Sequence, residues 1–255
     1  MKPPIVEITN LYKSFSRGTE TIDVLINLNL TVAEGEFLAL MGPSGSGKTT
    51  LLNLIAGLDS PTRGSIRVGN EIISEMNESQ LATWRTRAVG FVFQFYHLLP
   101  VLTAYENVEL PLLLLPLTTA QRRKQVQNAL DLVGLKDRNN HLPGMLSGGQ
   151  QQRVGIARAI VTDPTLIVAD EPTGDLDSKS ADEILDLMVE LQHALNKTIL
   201  MVTHDPRAAA RAERTLHLEK GQLVGETRGE TQSRPPLNGH DAPHDTLYRP
   251  LEAQR

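Results

Sequence analysis

A glycine-rich segment of eight residues has the spacing of a phosphate-binding loop. Residues 42–49 read Gly-Pro-Ser-Gly-Ser-Gly-Lys-Thr, between a continuous apolar run and a helical pattern. The glycines let successive backbone N–H groups surround a phosphate, and the following helix adds the positive end of its dipole. Lys48 can reach the β- and γ-phosphates of a nucleotide, and the Thr49 hydroxyl can bind Mg²⁺. The flanking elements disfavour a coincidental Gly/Ser-rich turn, so the segment predicts a nucleoside triphosphate site.

Two adjacent carboxylates follow a second apolar run, Leu166–Ala169. In an open α/β sheet, ligands bind at the carboxyl ends of the strands, which is where these two side chains are expected. Asp170 suits a Mg²⁺ ligand, acting directly or through water. Glu171, one residue further out, could orient water as a general base. The alternative is a solvated strand end before a turn at Pro172, which the nearby phosphate loop disfavours.

A histidine follows a third apolar run, Thr198–Val202. A single histidine is more often structural than functional. His204, however, comes directly after a strand pattern, so it is expected at the same sheet edge as Asp170 and Glu171. We predict that it hydrogen-bonds the γ-phosphate or the attacking water.

A second glycine-rich segment, residues 146–153, reads Leu-Ser-Gly-Gly-Gln-Gln-Gln-Arg and leads into a helical pattern. We place the helix over Arg153–Val161. A serine hydroxyl and two glycine N–H groups beside a helix N-terminus could bind a second anion. Serine is also an ordinary helix N-cap, so these residues alone give a weak signal.

The elements around these motifs indicate an α/β core. The runs Ile5–Ile8 and Val24–Leu30 alternate in polarity, as in half-buried antiparallel strands, whereas Phe37–Met41 is continuously apolar, as in a central strand. Strand patterns that alternate with helical ones predict a parallel sheet. Residues from about 75 to 164 are mainly helical in pattern, with one short strand at Val89–Phe93, and we interpret them as an inserted helical subdomain.

The C-terminal residues differ in composition from the rest. Residues 226–255 contain four of the 15 prolines and few large aliphatic side chains. Such a segment cannot bury enough apolar surface to offset its ordering entropy. We therefore expect one domain over residues 1–225 and a disordered tail over 226–255, with a docking tail as the alternative.

Composition excludes several classes of chemistry. The sequence has no cysteine, which rules out disulfides, zinc–thiolate sites and thiol nucleophiles. Its net charge of −5 disfavours electrostatic binding of nucleic acid. No secretory signal is visible at the N-terminus, and the longest lipophilic stretch, residues 110–117, is far shorter than the roughly 20 residues of a spanning helix.

From Ile5 to about Val224 the sequence resembles the ATP-binding subunit of ABC transporters. The phosphate loop, Gln94, the segment 146–153, the pair Asp170-Glu171 and His204 occur in the order and approximate spacing of that family. Residues 93–100, 106–112 and 170–174 further resemble the lipoprotein-release and macrolide-export branch (LolD- and MacB-like). Asp175 departs from the asparagine often found there, and the tail is longer than expected.

The resemblance implies a P-loop NTPase fold and a set of site residues. The fold is α/β, with a mixed or parallel sheet, an N-terminal antiparallel β subdomain and the inserted α-helical subdomain. ATP and Mg²⁺ are the implied ligands, with Mg²⁺ held by Thr49, Gln94 and Asp170, and catalysis is assigned to Lys48, Gln94, Glu171 and His204. The implied ATP-binding residues are Tyr12, Gly42, Pro43, Ser44, Gly45, Ser46, Gly47, Lys48, Thr49, Thr50, Ser147, Gly148, Gly149, Gln150 and Asp177.

The resemblance also implies two protein partners. Two copies would close head-to-tail, with Ser147, Gly148 and Gly149 of one capping the ATP of the other and Asp177 at the contact. Tyr12 would stack on adenine, with an ordinary exposed tyrosine as the alternative. Gln94 would contact Mg²⁺ and water, while its loop reports to a separate membrane permease. No nucleic acid partner is expected.

The implied function is ATP hydrolysis that drives a permease, performed peripherally at the cytoplasmic face of the inner membrane. One alternative is an ATPase relay to an envelope complex without transport, as in cell-division relatives. A soluble translation or DNA-repair ATPase is less favoured, because the chain has one such domain and no sustained heptads. We hypothesise that two apolar stretches, Tyr96–Leu99 and Leu110–Leu117, line a groove for a permease helix; the alternative is that Leu112–Leu115 belongs to the core of the helical subdomain.

Overall fold

The computed structural model describes residues 4–18 and 20–229. Ten β-strands form in this part of the chain, and they divide into a four-stranded and a six-stranded sheet. In chain order the strands are β1 (Pro4–Arg17), β2 (Glu20–Ala33), β3 (Phe37–Met41), β4 (Arg63–Val68), β5 (Glu71–Ile72), β6 (Val89–Phe93), β7 (Leu166–Asp170), β8 (Thr198–Thr203), β9 (Arg214–Glu219) and β10 (Gln222–Arg228).

The helices of the same residues alternate with the strands of the second sheet. They are α1 (Lys48–Ile55), α2 (Glu78–Ala88), α3 (Ala104–Glu109), α4 (Thr119–Leu132), α5 (Gly148–Ile160), α6 (Ser178–Leu195) and α7 (Pro206–Ala209), with 3₁₀ turns at Ile73–Glu75, Leu110–Leu114, Lys136–Arg138 and Pro143–Met145. Helices α2 to α5 each begin with a reciprocal capping box, such as Thr118 with Gln121 before α4. These caps satisfy backbone N–H groups that a helix start leaves free.

The six-stranded sheet has the order β10-β9-β3-β8-β7-β6. Strands β9, β3, β8, β7 and β6 pair in parallel, and β10 is antiparallel to β9. Alternate residues of β3 enter two separate cores, with Phe37 and Ala39 on one face and Leu38 and Leu40 on the other. A strand buried on both faces must be apolar at every position, which explains the continuous apolar runs of β3, β7 and β8.

The antiparallel sheet has the order β2-β1-β4-β5 and covers one face of the central sheet. Its inward side chains form one core together with α1 and α2, including the fully buried Trp84. The other core lies between the opposite face of the central sheet and helices α3 to α7. The central sheet is therefore the middle of three layers, and the predicted α/β fold class, with its N-terminal antiparallel sheet, is confirmed.

The structure differs from the sequence prediction at two boundaries. Strand β6 lies inside the predicted helical insertion 75–164, yet it forms the edge of the central sheet beside β7. Strand β10 continues three residues past the predicted domain end at Gly225, and Glu226 accepts hydrogen bonds from Arg214 and Arg228. Both differences arise because strand pairing with distant residues decides where these segments belong. The remainder of the predicted tail, 230–255, lies outside the described residues.

Within the described ranges, no helix combines the length and the apolar character that crossing a membrane requires.

Candidate functional site

The phosphate-loop segment lies between the end of β3 and the start of α1, as its pattern predicts. Gly45 and Gly47 adopt left-handed backbone conformations, with φ of 77° and 102°. A Cβ atom on Gly47 would lie 2.8 Å from Leu25 Cδ2 and 2.9 Å from the Val24 carbonyl oxygen. Glycine at 47 is therefore required twice, by its φ angle and by the close approach of β2.

The loop encloses a ready-made set of anion-binding groups. Lys48 is buried, and its Nζ donates to the carbonyl oxygens of Gly42 at 2.8 Å and Pro43 at 2.9 Å. Ser46 Oγ is buried and has no hydrogen-bond partner among the described residues. The cleft above the loop has a volume of about 700 Å³ and is lined by Val24, Gly42, Pro43, Ser44, Gly45, Gly47, Lys48, Thr49, Thr50, Glu171 and His204.

Asp170 ends β7 beside the start of α1. The Thr49 hydroxyl donates a hydrogen bond to its carboxylate, and the positive charge of Lys48 lies close enough to act on it. Burial, followed by repulsion from Glu171, nevertheless raises the pKa of Asp170 above its ordinary value. The ionised form of Asp170 is therefore disfavoured in the free protein, and a bound divalent cation would stabilise it.

Glu171 and His204 form a hydrogen-bonded pair at the cleft. His204 Nδ1 lies 2.7 Å from Glu171 Oε2, which leaves Nε2 of the exposed imidazole for another partner. The backbone of Glu171 is left-handed, with φ of 47°, and is held by its N–H donating to the Val202 carbonyl at 2.9 Å. Strained backbone of this kind is common in active sites, where it aims a side chain.

Gln94 follows β6, whose last residue, Phe93, pairs directly with Asp170. This register places Gln94 level with Glu171 on the next strand. A Cβ atom on Gly174 would lie 2.7 Å from Gln94 Nε2, so the turn after Glu171 packs directly against the Gln94 side chain. Gln94 does not line the cleft in the single chain.

The second glycine-rich segment forms the start of α5. The helix begins at Gly148, so the predicted start at Arg153 is wrong by five residues. Ser147 is the N-cap, and its Oγ accepts from the Gln150 N–H while Gln150 Oε1 accepts from the Ser147 N–H. The two glycines, poor helix formers, are accommodated because this capping box closes the first turn.

Asp177 lies beside this segment. It caps α6 by accepting from the N–H groups of Lys179 and Ser180. The hydrogen bond from the Ser180 hydroxyl, followed by those from the backbone N–H groups, holds the pKa of Asp177 below its ordinary value. A Cβ atom on Gly149 would lie 3.3 Å from the Ser180 side chain, so the two helix starts are adjacent. Ser147, Gly148, Gly149, Gln150 and Asp177 form one surface that does not line the cleft.

Tyr12 is a half-buried residue of β1, outside the residues that line the cleft. The guanidinium carbon of Arg63 lies 4.4 Å from the centre of its ring, in a cation–π contact. Val24 of β2 lines the cleft instead, and sequence spacing alone did not single it out. The sequence marks Val24 only by its position in a strand whose residues alternate in polarity.

The apolar stretches combine both predicted possibilities. Leu112 is fully buried in the helical core and Leu98 packs against that core, whereas Leu99 is 47% and Leu114 74% exposed. A second cleft, of about 530 Å³, separates the helical layer from the edge of the central sheet. Its lining includes Phe91, Phe93, Leu110, Pro111 and Leu114, with Arg85 and Arg158.

The site has the donors that a nucleoside triphosphate and Mg²⁺ require. A cleft of this size, with glycine backbone, a buried lysine and an unpartnered serine hydroxyl, suits a chain of phosphates. The Thr49 hydroxyl, the Asp170 carboxylate and the nearby Gln94 amide offer oxygen atoms, which are the ligands that Mg²⁺ prefers. Among the described residues no group of three or more His, Cys, Asp or Glu side chains could hold a metal ion, so these mixed donors would have to suffice.

Comparison with known proteins decides the family. The model of the family described as "ABC transporter" matches residues 25–174. The chain belongs to the ABC transporter family. This family therefore accounts for the order of the phosphate loop, the second glycine-rich segment and the two carboxylates.

Several relatives of this ABC protein match over most of its length. It is 50% identical over 226 residues to the uncharacterized ABC transporter ATP-binding protein YvrO of Bacillus subtilis (strain 168), covering 89% of this chain and 98% of that protein. It is 48% identical over 223 residues to the lipoprotein-releasing system ATP-binding protein LolD of Legionella pneumophila (strain Lens), covering 88% and 98%. With the macrolide export ATP-binding/permease protein MacB 1/2 of Paracoccus denitrificans (strain Pd 1222), 44% identity covers 88% of this chain but 34% of that protein.

A solved structure has the same fold. The dimeric post-hydrolysis state of the ATP-binding cassette MJ0796, bound to ADP and Pi, is 43% identical to this chain with a TM-score of 0.79. The match covers 88% of this chain and 98% of that one. The resemblance to the lipoprotein-release and macrolide-export branch is thus confirmed at the level of sequence.

The phosphate loop gives a test of its required geometry. Gly45→Ala and Gly47→Ala both place a side chain at positive φ, but only at 47 would the new Cβ meet other atoms within 4 Å. The φ penalty is about 1–2 kcal/mol at either site, and crowding adds about 1–3 kcal/mol at 47. We expect Gly47→Ala to lower the free energy of unfolding in urea more than Gly45→Ala, and equal midpoints would contradict this account of the loop.

Proposed function

We propose that this chain is the ATP-hydrolysing subunit of an ABC transporter and powers a separate membrane permease of the lipoprotein-release or macrolide-export type. The observation that carries the proposal is the division of the site. Lys48, Asp170, Glu171 and His204 meet at one sheet edge, whereas the surface from Ser147 to Gln150 lies apart from the cleft. A complete site then needs a second copy to supply that surface.

The chain's own residues have separate tasks in this reaction. The backbone N–H groups of residues 42–49 and Lys48 bind the phosphates and stabilise the charge that develops in phosphoryl transfer. Thr49, Asp170 and Gln94 would hold Mg²⁺, which neutralises phosphate charge when bound. Tyr12, with Arg63 against its ring, would stack on the adenine.

Glu171 is the proposed general base. Its hydrogen bond to His204 Nδ1 and its left-handed backbone fix the direction of the carboxylate toward the cleft. A fixed carboxylate can orient a water molecule and accept its proton as the water attacks. As an imidazolium, His204 would donate from Nδ1 to Glu171 and from Nε2 to the γ-phosphate, so the geometry of the pair would depend on the third phosphate.

The partner surfaces follow from the same division. Ser147, Gly148 and Gly149 of one copy would cap the ATP bound by the other, with Asp177 at the contact. The MJ0796 cassette, named as dimeric and bound to ADP and Pi, supports this arrangement. In this proposal the closed dimer has a higher affinity for ATP than for ADP, so hydrolysis and the loss of phosphate shift the conformational equilibrium toward the open state.

The permease would dock at the second cleft. Exposed Leu114 lines this cleft together with Phe91 and Phe93, which suits the apolar face of a helix. The names of LolD and MacB, a releasing system and an export protein, support a membrane partner. This docking would hold the chain peripherally at the cytoplasmic face of the inner membrane.

The proposed base is tested by Glu171→Gln. We expect ATP hydrolysis to fall by about 10²–10⁴-fold, because the amide cannot accept the proton from water. ATP binding should persist, so the variant should form a stable dimer with ATP in light scattering. Glu190→Gln, an exposed change on α6, is the control and should keep both properties of the wild type. Turnover at the wild-type rate by Glu171→Gln would show that the base lies elsewhere.

The proposed Mg²⁺ site is tested by Asp170→Asn. The wild type should unfold at a higher temperature with ATP and MgCl₂ than with ATP and EDTA, because ligands that bind only the folded state stabilise it. The variant should lose most of this difference and lose hydrolysis by about 100-fold or more. Its ligand-free Tm should be unchanged or higher, because the raised pKa shows that the ionised carboxylate is disfavoured. Asp131→Asn, at a mostly exposed site, is the control, and a full Mg²⁺ effect in Asp170→Asn would contradict the assignment.

The permease surface is tested by Leu114→Asp, at the exposed leucine that lines the second cleft. Burying one leucine contributes about 1.5–3 kcal/mol, so the charge should weaken recovery of the native membrane complex about 10–100-fold. Leu98 is a less suitable target because it packs against the core. Val224→Asp, on β10 at the opposite edge of the sheet and 56% exposed, is the control and should leave recovery unchanged. Undiminished recovery of the complex with Leu114→Asp would refute this docking surface.

A further inference from the structure

Helix α5 carries a buried amide that reaches both catalytic loops. Gln152 is fully buried, and its Nε2 donates to the Phe93 carbonyl at 3.1 Å and to the Pro172 carbonyl at 2.5 Å. Phe93 directly precedes Gln94, and Pro172 directly follows Glu171. One side chain therefore joins the backbones that present the two residues proposed to act on the attacking water.

The cost of burying this amide argues that the contact matters. Gln152 lies on the same helical face as the buried Ile156 and Ile160, where an apolar side chain would pack without desolvation. Its Oε1 has no hydrogen-bond partner among the described residues, so the amide is only half satisfied. Its orientation is set by the two carbonyl acceptors, which can pair only with the N–H groups.

Both loops held by α5 contain strained backbone. Glu171 has φ of 47°, and Tyr96 and His97 have φ of 59° and 47°. A second side chain of α5, Arg158, donates to the carbonyls of Tyr96 at 2.7 Å and His97 at 2.6 Å. Left-handed conformations of such residues persist only where the surrounding structure holds them, and α5 supplies these contacts.

We propose that Gln152 is a positioning residue for ATP hydrolysis, whose two hydrogen bonds set the separation of the Gln94 loop from the Glu171 turn. The inference rests on the proposed function, since it assigns Gln152 to the hydrolytic step of that reaction. Because Ser147 caps α5 and Gly148 and Gly149 begin it, the same helix carries the surface proposed to meet the second copy. Docking of that copy would therefore act through α5 on the Gln94 loop and on the Glu171 turn.

The test is Gln152→Met in the full-length protein. Methionine keeps the length of the side chain but removes both N–H donors. We expect kcat for ATP to fall about 10-fold or more, because small displacements of reacting groups slow catalysis strongly. The KM for ATP and the affinity for a fluorescent ATP analogue should stay within about twofold of wild type, because both hydrogen-bond acceptors of Gln152 lie outside the phosphate loop.

A matched control is available in α6. Gln192 is also buried, and its Nε2 donates to the Gly35 carbonyl and to Glu213 Oε1, each at 2.7 Å, away from the catalytic loops. Gln192→Met therefore loses the same number of buried donors. It should lower Tm by an amount similar to Gln152→Met while leaving kcat unchanged.

The outcomes separate this inference from the function on which it rests. A wild-type protein without ATPase activity would contradict both. Wild-type turnover with an unchanged kcat in Gln152→Met, or an equal loss of kcat in Gln192→Met, would overturn the positioning role alone. Gln152→Glu, which keeps the shape and places a charge against the two carbonyls, should show the same selective loss of kcat. Failure of both Gln152 variants to fold, with a folded Gln192→Met, would make the residue structural and also overturn the proposal.

Discussion

Parallel pairing of the central strands is the constraint on which the whole site depends. Phe93 pairs with Asp170, Asp170 with Val202, and Met41 with Thr203, so four strands end at one level. Chain segments far apart in sequence are thereby brought to one edge. Both faces of the sheet are covered by other layers, so the edge is where a ligand can reach it. The phosphate loop, Glu171 and His204 share a cleft for this reason, and Asp170 lies beside it against Thr49 and Lys48.

The local charge of the site differs from the charge of the chain. A net charge of −5 disfavours a broad anionic partner such as nucleic acid, but a compact polyanion needs only local complementarity. The cleft supplies it through backbone N–H groups, the helix start at Lys48 and one buried lysine. Asp170 and Glu171 add negative charge at the same place, and burial together with the smaller repulsion from Glu171 raises the pKa of Asp170. A divalent cation is the natural complement, which is why the carboxylates and the phosphate site belong together.

Much of the fold could be predicted because local pattern and final environment agree. Continuous apolar runs located β3, β7 and β8, since strands covered on both faces have no polar side. Pattern failed where a partner elsewhere decides the outcome. The pattern places strand β6 correctly at Val89–Phe93, but only its pairing with β7 assigns it to the central sheet. Strand β10 extends past Gly225 through its pairing with β9. Helix α5 starts at Gly148 because a capping box offsets two glycines that taken alone disfavour a helix.

The sequence by itself determined the chemistry and most of the residues that could perform it. The phosphate loop is recognised from closely spaced glycines followed by Lys48 and Thr49, and the strand-end carboxylates are recognised from the apolar run that precedes them. Only the tertiary structure decided which of them meet. It joined Glu171 to His204, put Arg63 against Tyr12, and kept Ser147 away from the cleft of its own chain. It also gave Gln152 two partners, 59 and 20 residues away. Contacts over such separations depend on how the layers pack, and no local spacing records them.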